Sequence, residues 1–484
     1  MDTTRRGGET GTGVDRRTFV KVAGAGALGA AGLSAAGEKS RTRGGRVRGV
    51  GRARNVVFMV SDGCSTGTIG LADEVRRVDP AQTLGGLASG HWARLWGRDG
   101  VRRAMQRTAS ANSLVTDSAA AASAWSIGRK TDNGAISVMP DGSEGEPILV
   151  SAKRRGMATG LVSTTRLTHA TPAAFVANGP RRSQEEASAR QMLERAVDVM
   201  LGGGVDYFAE SLLAEHADVN VLRTAAELAG LKPGEVDGRV MGLFTPDHMS
   251  YEIDRVRDDD GSEPSLAMMS ERALALLEAR GDGFVLQIEG GRVDHAAHSN
   301  DAAGLVRDQL AFDDAVGAGV AWAAARDDTL VMVTSDHGNA NPGLTLYLDD
   351  AMEGVRALGR ARRSFDWIGG KFWELRNADE MSDDAARAVV REATGVHVED
   401  EAWAMVMRAM LKEGLGDAFR ARRSWMHVLG SALGNANGVG FVSGNHTADY
   451  TEVTAFGPGS EGFAGLMDNT AVGMAVRAAV GLGR

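Results

Sequence analysis

Short apolar runs alternate with amphipathic stretches along most of the chain, from about residue 55 onward. Three of the runs are typical of buried strands: NVVFMV at 55–60, GFVLQI at 283–288 and TLVMVT at 329–334. Stretches with helical spacing of apolar residues occur elsewhere, among them 383–396 and 401–415. This alternation predicts an α/β fold with a mainly parallel central sheet.

Each of the three predicted strands is followed by a carboxylate. Asp62 lies just beyond the first run, Glu289 directly follows the second, and Asp336 lies just beyond the third. Because ligands of open parallel sheets bind at the carboxyl ends of the strands, we expect these acids to converge. Clustered carboxylates repel one another unless a cation lies between them, so the pattern predicts a metal centre.

Five of the ten histidines fall in or near these segments. They are His169 in THATPAAF, His295 and His298 in EGGRVDHAAH, His337 in TSDHGN, and His446 in NHTADY. Asp294 and His298 are four residues apart and would share one face of a helix. Histidine and carboxylate ligands without thiolate suit Zn²⁺, and oxygen-rich positions suit Mg²⁺. The other histidines are interpreted as surface or core residues: His91, His216, His248, His397 and His427.

A candidate nucleophile lies in the segment VTDSAAAASAWS at 115–126. A helix is predicted to begin near Ser118, which would place its hydroxyl at the positive helix end, where anions bind. An ordinary helix cap by Asp117 or Ser118 is the simpler interpretation of this segment alone. No histidine lies near Ser118 in sequence, so a nucleophilic Ser118 needs a metal ion to lower the pKa of its hydroxyl.

The N-terminal segment resembles a twin-arginine export signal. Residues 15–21 read DRRTFVK and precede a weakly apolar run of about 15 small residues, shorter than the roughly 20 that a membrane span needs. We therefore predict a removable signal at 1–36, a basic linker at 37–54 and one domain at 55–484, with a periplasmic or secreted location. A disordered basic tail is the alternative interpretation of the N-terminus.

Composition excludes some classes of protein. The formal net charge is −9, or −11 without the predicted signal, and the basic residues beyond the N-terminus are scattered. Nucleic acid is therefore not expected as a specific partner. The single cysteine, Cys64, excludes an intrachain disulfide and is interpreted as an inert buried thiol.

These motifs, taken in order, resemble those of the alkaline phosphatases. The set comprises Asp62–Gly63, TDSAAAASAW at 116–125, HATPAAF at 169–175, EGGRVDHAAH at 289–298, TSDHGN at 334–339 and NHTADY at 445–450. The resemblance implies an alkaline-phosphatase-like three-layer αβα sandwich, a homodimer, and a phosphomonoesterase acting through a phosphoserine. A phosphodiesterase or sulfatase of the same superfamily, or an inactive exported protein that binds phosphate or metal, are the alternatives.

The resemblance also implies a role for each matching residue. Ser118 would be phosphorylated, and Arg182, with Arg181 as the fallback, would bind the substrate. Two zinc sites would be formed by Asp294, His298 and His446, and by Asp62, Asp336 and His337. Asp62 would bridge to a magnesium site completed by Thr171 and Glu289. His169 and His295 replace Asp and Lys of some relatives and are expected to lie behind the ligands.

The interval between His337 and His446 is longer than in many proteins of this family. Its helical patterns predict an inserted, mostly helical cap at about 341–440. We expect this cap to lie over the cleft or near a dimer interface and to narrow access for large substrates.

Overall fold

The computed structural model describes residues 52–78, 90–258, 261–411 and 424–483. The predicted export signal at 1–36 and most of the predicted linker lie outside the described residues. The last linker residues belong to the folded domain, because the Ala53 amide donates to the Ala479 carbonyl at 2.9 Å and the Arg54 amide to the Asp328 carbonyl at 2.6 Å. Ala53 and Arg54 therefore make backbone contacts with the domain that follows them.

The described residues form fourteen strands and eighteen α-helices. The strands are β1 Asn55–Ser61, β2 Arg102–Arg107, β3 Ala158–Arg166, β4 Val199–Gly203, β5 Val219–Leu222, β6 Arg239–Leu243, β7 Phe284–Gly290, β8 Thr329–Thr334, β9 Gly338–Asn339, β10 Gly343–Leu344, β11 Val439–Gly440, β12 His446–Thr447, β13 Thr451–Phe456 and β14 Gly465–Asp468. The helices are α1 Thr66–Val78, α2 His91–Leu95, α3 Ser118–Ile127, α4 Ile148–Arg154, α5 Ala170–Val176, α6 Glu185–Glu194, α7 Glu210–Ala214, α8 Ala225–Gly230, α9 Glu252–Arg255, α10 Leu266–Glu278, α11 Arg292–Ser299, α12 Ala302–Ala324, α13 Leu348–Arg360, α14 Phe365–Asn377, α15 Asp383–Thr394, α16 Asp400–Met410, α17 Trp425–Asn437 and α18 Asn469–Ala479.

Ten of the strands form one sheet in the order β14-β2-β13-β8-β1-β7-β3-β4-β6-β5. Neighbouring strands are parallel except around β13, which is antiparallel to both β8 and β2. The three strands predicted from the longest apolar runs, β8, β1 and β7, are adjacent at the centre of this sheet. The sheet confirms the predicted α/β fold with a mainly parallel sheet.

The side chains of β1 point alternately to two different apolar cores, one on each face of the sheet. Val57 and Met59 pack into the core formed with α10 and α12. Phe58 and Val60 face the opposite core, where the Phe58 ring lies 5.2 Å from the Trp125 ring. Because both faces of the central strand are buried, its residues form a continuous apolar run rather than an alternating pattern. Helices cover both faces of the sheet and give the three-layer αβα sandwich.

Five helices, α13 to α17, occupy the described part of the segment predicted as a cap. The helical patterns at 383–396 and 401–415 correspond to α15 and α16, although residues 412–415 lie outside the described residues. Four of these helices, α14 to α17, share a separate apolar core around Trp403 and Leu429. That the segment is an insertion and acts as a cap stays a prediction.

None of the described helices combines the length and the apolar character needed to cross a bilayer.

Candidate active site

Three adjacent strands present acidic groups at one edge of the sheet. Asp62 directly follows β1, Glu289 is the second-last residue of β7, and Asp336 lies two residues beyond β8. The register aligns them, because Val60 of β1 pairs with both Glu289 and Thr334. All three carboxylates are fully buried. The structure thus brings together the acids that the sequence placed at strand ends.

Gly63 allows a fourth carboxylate to approach this edge. Its φ of +64° is unfavourable for other residues, and a Cβ atom there would lie 2.4 Å from Asp294 Oδ1. Its amide donates to Asp336 Oδ1 at 3.0 Å. The glycine after Asp62 therefore lets the chain turn tightly between Asp294 and Asp336.

Two histidines face Asp294 with their Nε2 atoms. His298 donates from Nδ1 to the Gly444 carbonyl at 2.8 Å, and His446 donates from Nδ1 to the Thr116 carbonyl at 2.8 Å. A carbonyl can only accept, so each neutral ring keeps a lone pair on Nε2. These Nε2 atoms are 2.9 Å apart and lie 3.4 and 3.5 Å from the Asp294 carboxylate oxygens.

A cation is the group that fits this arrangement. Two imidazole lone pairs and a carboxylate repel one another at such distances unless a positive charge lies between them. Backbone carbonyls that fix the outer nitrogen of a histidine are a usual support for metal ligands. The donor set of two imidazoles and a carboxylate suits zinc.

A second set of acceptors surrounds His337. Its Nε2 atom lies 3.1 Å from Asp336 Oδ2 and 3.6 Å from Asp62 Oδ1. Both oxygens of Asp62 are buried and lack a hydrogen-bond partner among the described residues. Burial, followed by the charges of Asp336, Asp294 and Glu289, raises the pKa of Asp62 well above its usual range. The Asp62 carboxylate can remain ionised here only if a cation compensates it.

A third set of oxygens lies around Glu289. Ser163 donates to Glu289 Oε2 at 2.5 Å, whereas Glu289 Oε1 and the hydroxyl of Thr171 are buried and have no hydrogen-bond partner in the described part of the chain. Burial raises the pKa of Glu289 to about 7. A ring nitrogen of His169 lies within 4.8 Å of carboxylate oxygens of both Asp62 and Glu289. His169, expected behind the ligands, therefore lies close to two of the expected ligands of this third site.

Ser118 is the first residue of α3 and lies beside His337. Its Oγ atom is 3.3 Å from His337 Nε2, although the two residues are 219 positions apart in sequence. Asp117 caps the helix by accepting the Ala120 amide at 3.0 Å. Because Asp117 caps the helix, the hydroxyl of Ser118 is not needed as a cap. It can therefore act on an anion bound at the positive end of α3.

Arg182 lies next to this serine. Its Nη1 atom donates to Asp117 Oδ2 at 3.1 Å, and its Nη2 atom lies 2.8 Å from His169 Nε2. The Arg182 amide donates to the Gly134 carbonyl at 2.6 Å, which fixes the segment between α5 and α6. Arg181, the fallback in the sequence analysis, is exposed. The geometry favours Arg182 as the residue that binds an anion at Ser118.

Sequence reasoning missed His248. Its ring centroid lies 5.3 Å from that of His169 and 4.4 Å from that of His295. Burial, followed by Arg292 and His248, lowers the pKa of His295 well below its usual range, so the His295 ring is neutral. One signal could have located His248: it closely follows β6, and the carboxyl ends of parallel strands point to the same edge.

We expect Cys64 to be chemically inert in the folded protein. The side chain is 2% exposed, and burial raises the pKa of its thiol to about 12, so only about one thiol in ten thousand is ionised at pH 8. Mass spectrometry after iodoacetamide or mild peroxide should show Cys64 unmodified and activity unchanged. The same reagents should modify it in guanidinium chloride. Rapid modification of the native protein would contradict the buried position.

Comparison with known proteins agrees with this geometry. The alkaline phosphatase family model matches residues 53–482. Alkaline phosphatase 3 of Bacillus subtilis (strain 168) is 32% identical over 74% of this chain and 75% of its own length. Escherichia coli (strain K12) alkaline phosphatase is 31% identical over 61% and 74%. The crystal structure of Thermus thermophilus alkaline phosphatase has a TM-score of 0.80 at 34% identity, covering 90% of this chain and 92% of that one.

Fold and site together define a hydrolase with an α/β sandwich, in which a serine at a helix N-terminus faces a buried cluster of carboxylates and imidazoles. The match over 53–482 identifies it further, since the chain belongs to the alkaline phosphatase family. It is an enzyme of the phosphoric monoester hydrolase class.

Proposed function

We propose that this enzyme is a metal-dependent phosphomonoesterase that transfers the phosphoryl group of its substrate to Ser118 and then releases inorganic phosphate. One observation carries the proposal. The Ser118 hydroxyl lies 3.3 Å from His337 in a buried cluster where Asp62, Asp336 and Glu289 have oxygens to which no described residue donates a hydrogen bond. A buried cluster of this kind is costly unless cations bind there.

The residues present fit two zinc ions and one magnesium ion. Zinc would be held by Asp294, His298 and His446, and by Asp62, Asp336 and His337; magnesium would be held by Asp62, Glu289 and Thr171. The first two sets combine imidazole with carboxylate, and the third offers carboxylate and hydroxyl oxygen. When bound, such ions supply positive charge that lowers the pKa of a hydroxyl or water and offsets charge on phosphoryl and leaving oxygens.

The chain's own residues bind and orient the substrate. The guanidinium of Arg182 can donate to two phosphoryl oxygens at once, and Asp117 keeps it directed toward Ser118. The positive end of α3 adds attraction for the phosphoryl group. Since these contacts all concern the phosphoryl group, we propose that the enzyme accepts a range of phosphate monoesters.

Two in-line displacements then complete the reaction. Ser118 Oγ loses its proton to solvent and attacks phosphorus, the bond from phosphorus to the ester oxygen breaks, and that oxygen takes up a proton from solvent and leaves as the alcohol. Water next attacks the phosphoserine, the bond from phosphorus to Oγ breaks, and the serine hydroxyl and inorganic phosphate are restored. Configuration at phosphorus inverts in each step, so overall retention is expected.

Trapping the phosphoserine tests this proposal. The enzyme should be mixed with an aryl phosphate at moderately acidic pH, quenched in acid and digested. Mass spectrometry should find phosphate on the peptide that contains Ser118 and on no other peptide. Aryl sulfate and an aryl phosphodiester serve as control substrates and should be turned over far more slowly. Faster turnover of either control, or phosphate on a different residue, would contradict the proposed function.

We also propose that the enzyme is exported through its twin-arginine segment to the periplasm or the medium, and that it forms a homodimer. Support for export comes from the DRRTFVK segment at 15–21 and from a chain with one cysteine. Support for the dimer comes from the family resemblance.

A further inference from the structure

A buried arginine contacts both the helical segment α13 to α17 and the candidate site. Arg292, the first residue of α11, is 8% exposed. Its Nη2 atom donates to Asp366 of α14 at 2.9 Å, and its Nη1 atom donates to His295 Nδ1 at 2.9 Å. The guanidinium also lies 3.7 Å from the ring centroid of the buried Tyr251. Three side chains, those of Asp366, His295 and Tyr251, therefore contact the Arg292 guanidinium.

The position of Asp366 is itself fixed by the sandwich. Asp254 accepts the Ser364 amide at 3.1 Å, and Asp301 Oδ2 accepts the Phe365 amide at 2.8 Å. These two carboxylates satisfy free amides at the beginning of α14, in the turn that carries Asp366. The N-terminus of α14 is thus hydrogen-bonded to Asp254 of α9 and to Asp301, the cap residue of α12. From this fixed position the carboxylate of Asp366 contacts Arg292.

The contact with Arg292 determines which nitrogen of His295 carries the proton. A guanidinium has only donors, so His295 Nδ1 must accept, and the neutral ring must bear its proton on Nε2. His295 then offers an N–H donor at the end of its ring away from Arg292. The His295 ring lies 5.5 Å from the ring of His169, which in turn contacts Arg182.

We propose that Asp366 is a positioning residue for phosphate binding. Through Arg292 it holds His295 in the Nε2–H tautomer, with this N–H donating to an oxygen of the bound phosphoryl group or of inorganic phosphate. The inference rests on the proposed function, because it places the phosphoryl group beside Arg182. It assigns to α14 an indirect part in binding a tetrahedral oxyanion, through Arg292 and His295.

Asp366→Asn tests the inference in the metal-loaded enzyme. The amide weakens the hold on Arg292, so the inhibition constant of inorganic phosphate and the KM for an aryl phosphate should rise roughly five- to tenfold. Because the lost contact serves bound substrate and transition state alike, kcat should change less than about twofold. Asp384→Asn is the matched control, since Asp384 is exposed and occupies the same second position in α15. This control should leave the inhibition constant and KM unchanged.

A double-mutant cycle separates positioning from a general loosening of the fold. In a His295→Ala background, Asp366→Asn should weaken phosphate binding no further. Arg292→Lys keeps the charge but cannot reach both partners, and should raise the inhibition constant of phosphate as Asp366→Asn does. Additive effects of Asp366→Asn and His295→Ala would overturn the inference.

A spectroscopic measurement reports on His295 without relying on activity. In enzyme labelled with ¹⁵N-histidine, long-range proton–nitrogen correlations should assign the Nε2–H tautomer to His295, and Asp366→Asn should shift it toward a mixture. An Nδ1–H tautomer in the wild-type enzyme would also overturn the inference. Failure of the proposed function would appear differently, as a phosphoryl group trapped on a residue other than Ser118.

Discussion

Replacing Ser118 with alanine should lower kcat for an aryl phosphate by roughly 10³-fold or more, while the fold and the metal content stay unchanged. The serine hydroxyl is the nucleophile in the proposed mechanism, and its Oγ atom lies 3.3 Å from His337 Nε2 in the buried cluster. The fold should tolerate the change, because alanine is favourable within a helix and Asp117 still caps α3.

Ser113→Ala is a suitable control for this experiment. Ser113 lies in the loop that precedes the nucleophile, where its hydroxyl accepts the Val115 amide at 3.2 Å. We expect this variant to retain kcat within about twofold, because surface substitutions seldom have large effects. A Ser118→Ala enzyme with kcat within tenfold of the wild type would exclude the phosphoserine mechanism.

Removing divalent cations with a chelator should abolish turnover and lower Tm by at least about 5 °C. Four carboxylates face one another in the buried cluster: Asp62, Glu289, Asp294 and Asp336. Without cations their mutual repulsion is uncompensated, and part of the stability of the folded state is lost. Adding zinc and magnesium together should restore both activity and Tm, as measured by turnover and differential scanning calorimetry.

An Asp62→Asn variant should change Tm in opposite directions in the metal-free and the metal-loaded protein. In the metal-free protein the substitution removes one negative charge from the cluster and should raise Tm. In the metal-loaded protein it removes a proposed ligand and should lower Tm. A chelator that leaves the wild-type Tm unchanged, or an Asp62→Asn variant with a lower Tm in both forms, would contradict cation binding at these carboxylates.

The parts of the molecule that could be predicted from the sequence are those with a local signature. Strands β1, β7 and β8 are continuous apolar runs because they are central in the sheet and buried on both faces. Their carboxyl ends lie at one edge of a parallel sheet, so the convergence of Asp62, Glu289 and Asp336 follows from topology alone. The pairing of Asp294 with His298 follows from helix periodicity in the same way.

Other features depend on contacts between distant parts of the chain. The central position of the antiparallel β13 could not be predicted, since its short sequence TEVTAF gives no sign of direction. His248 has one acidic neighbour, Asp247, but no second imidazole in its own segment, and it reaches the site only through the packing of β6. Ser118 and His337 are 219 positions apart in the sequence but in contact in the structure. Local sequence patterns do not predict a contact between residues so far apart.

The central position of β1 between β7 and β8 has a consequence for how the enzyme matures. β1 is the earliest of the three strands to be synthesised, yet its neighbours end only at residues 290 and 334, and His446 is made later still. Asp336, His337 and His446 are therefore missing until late in synthesis, and the proposed metal sites are complete only when the whole sandwich has been made. In the proposed function, ions would therefore bind to a fold that is already complete and would stabilise it, instead of starting its folding.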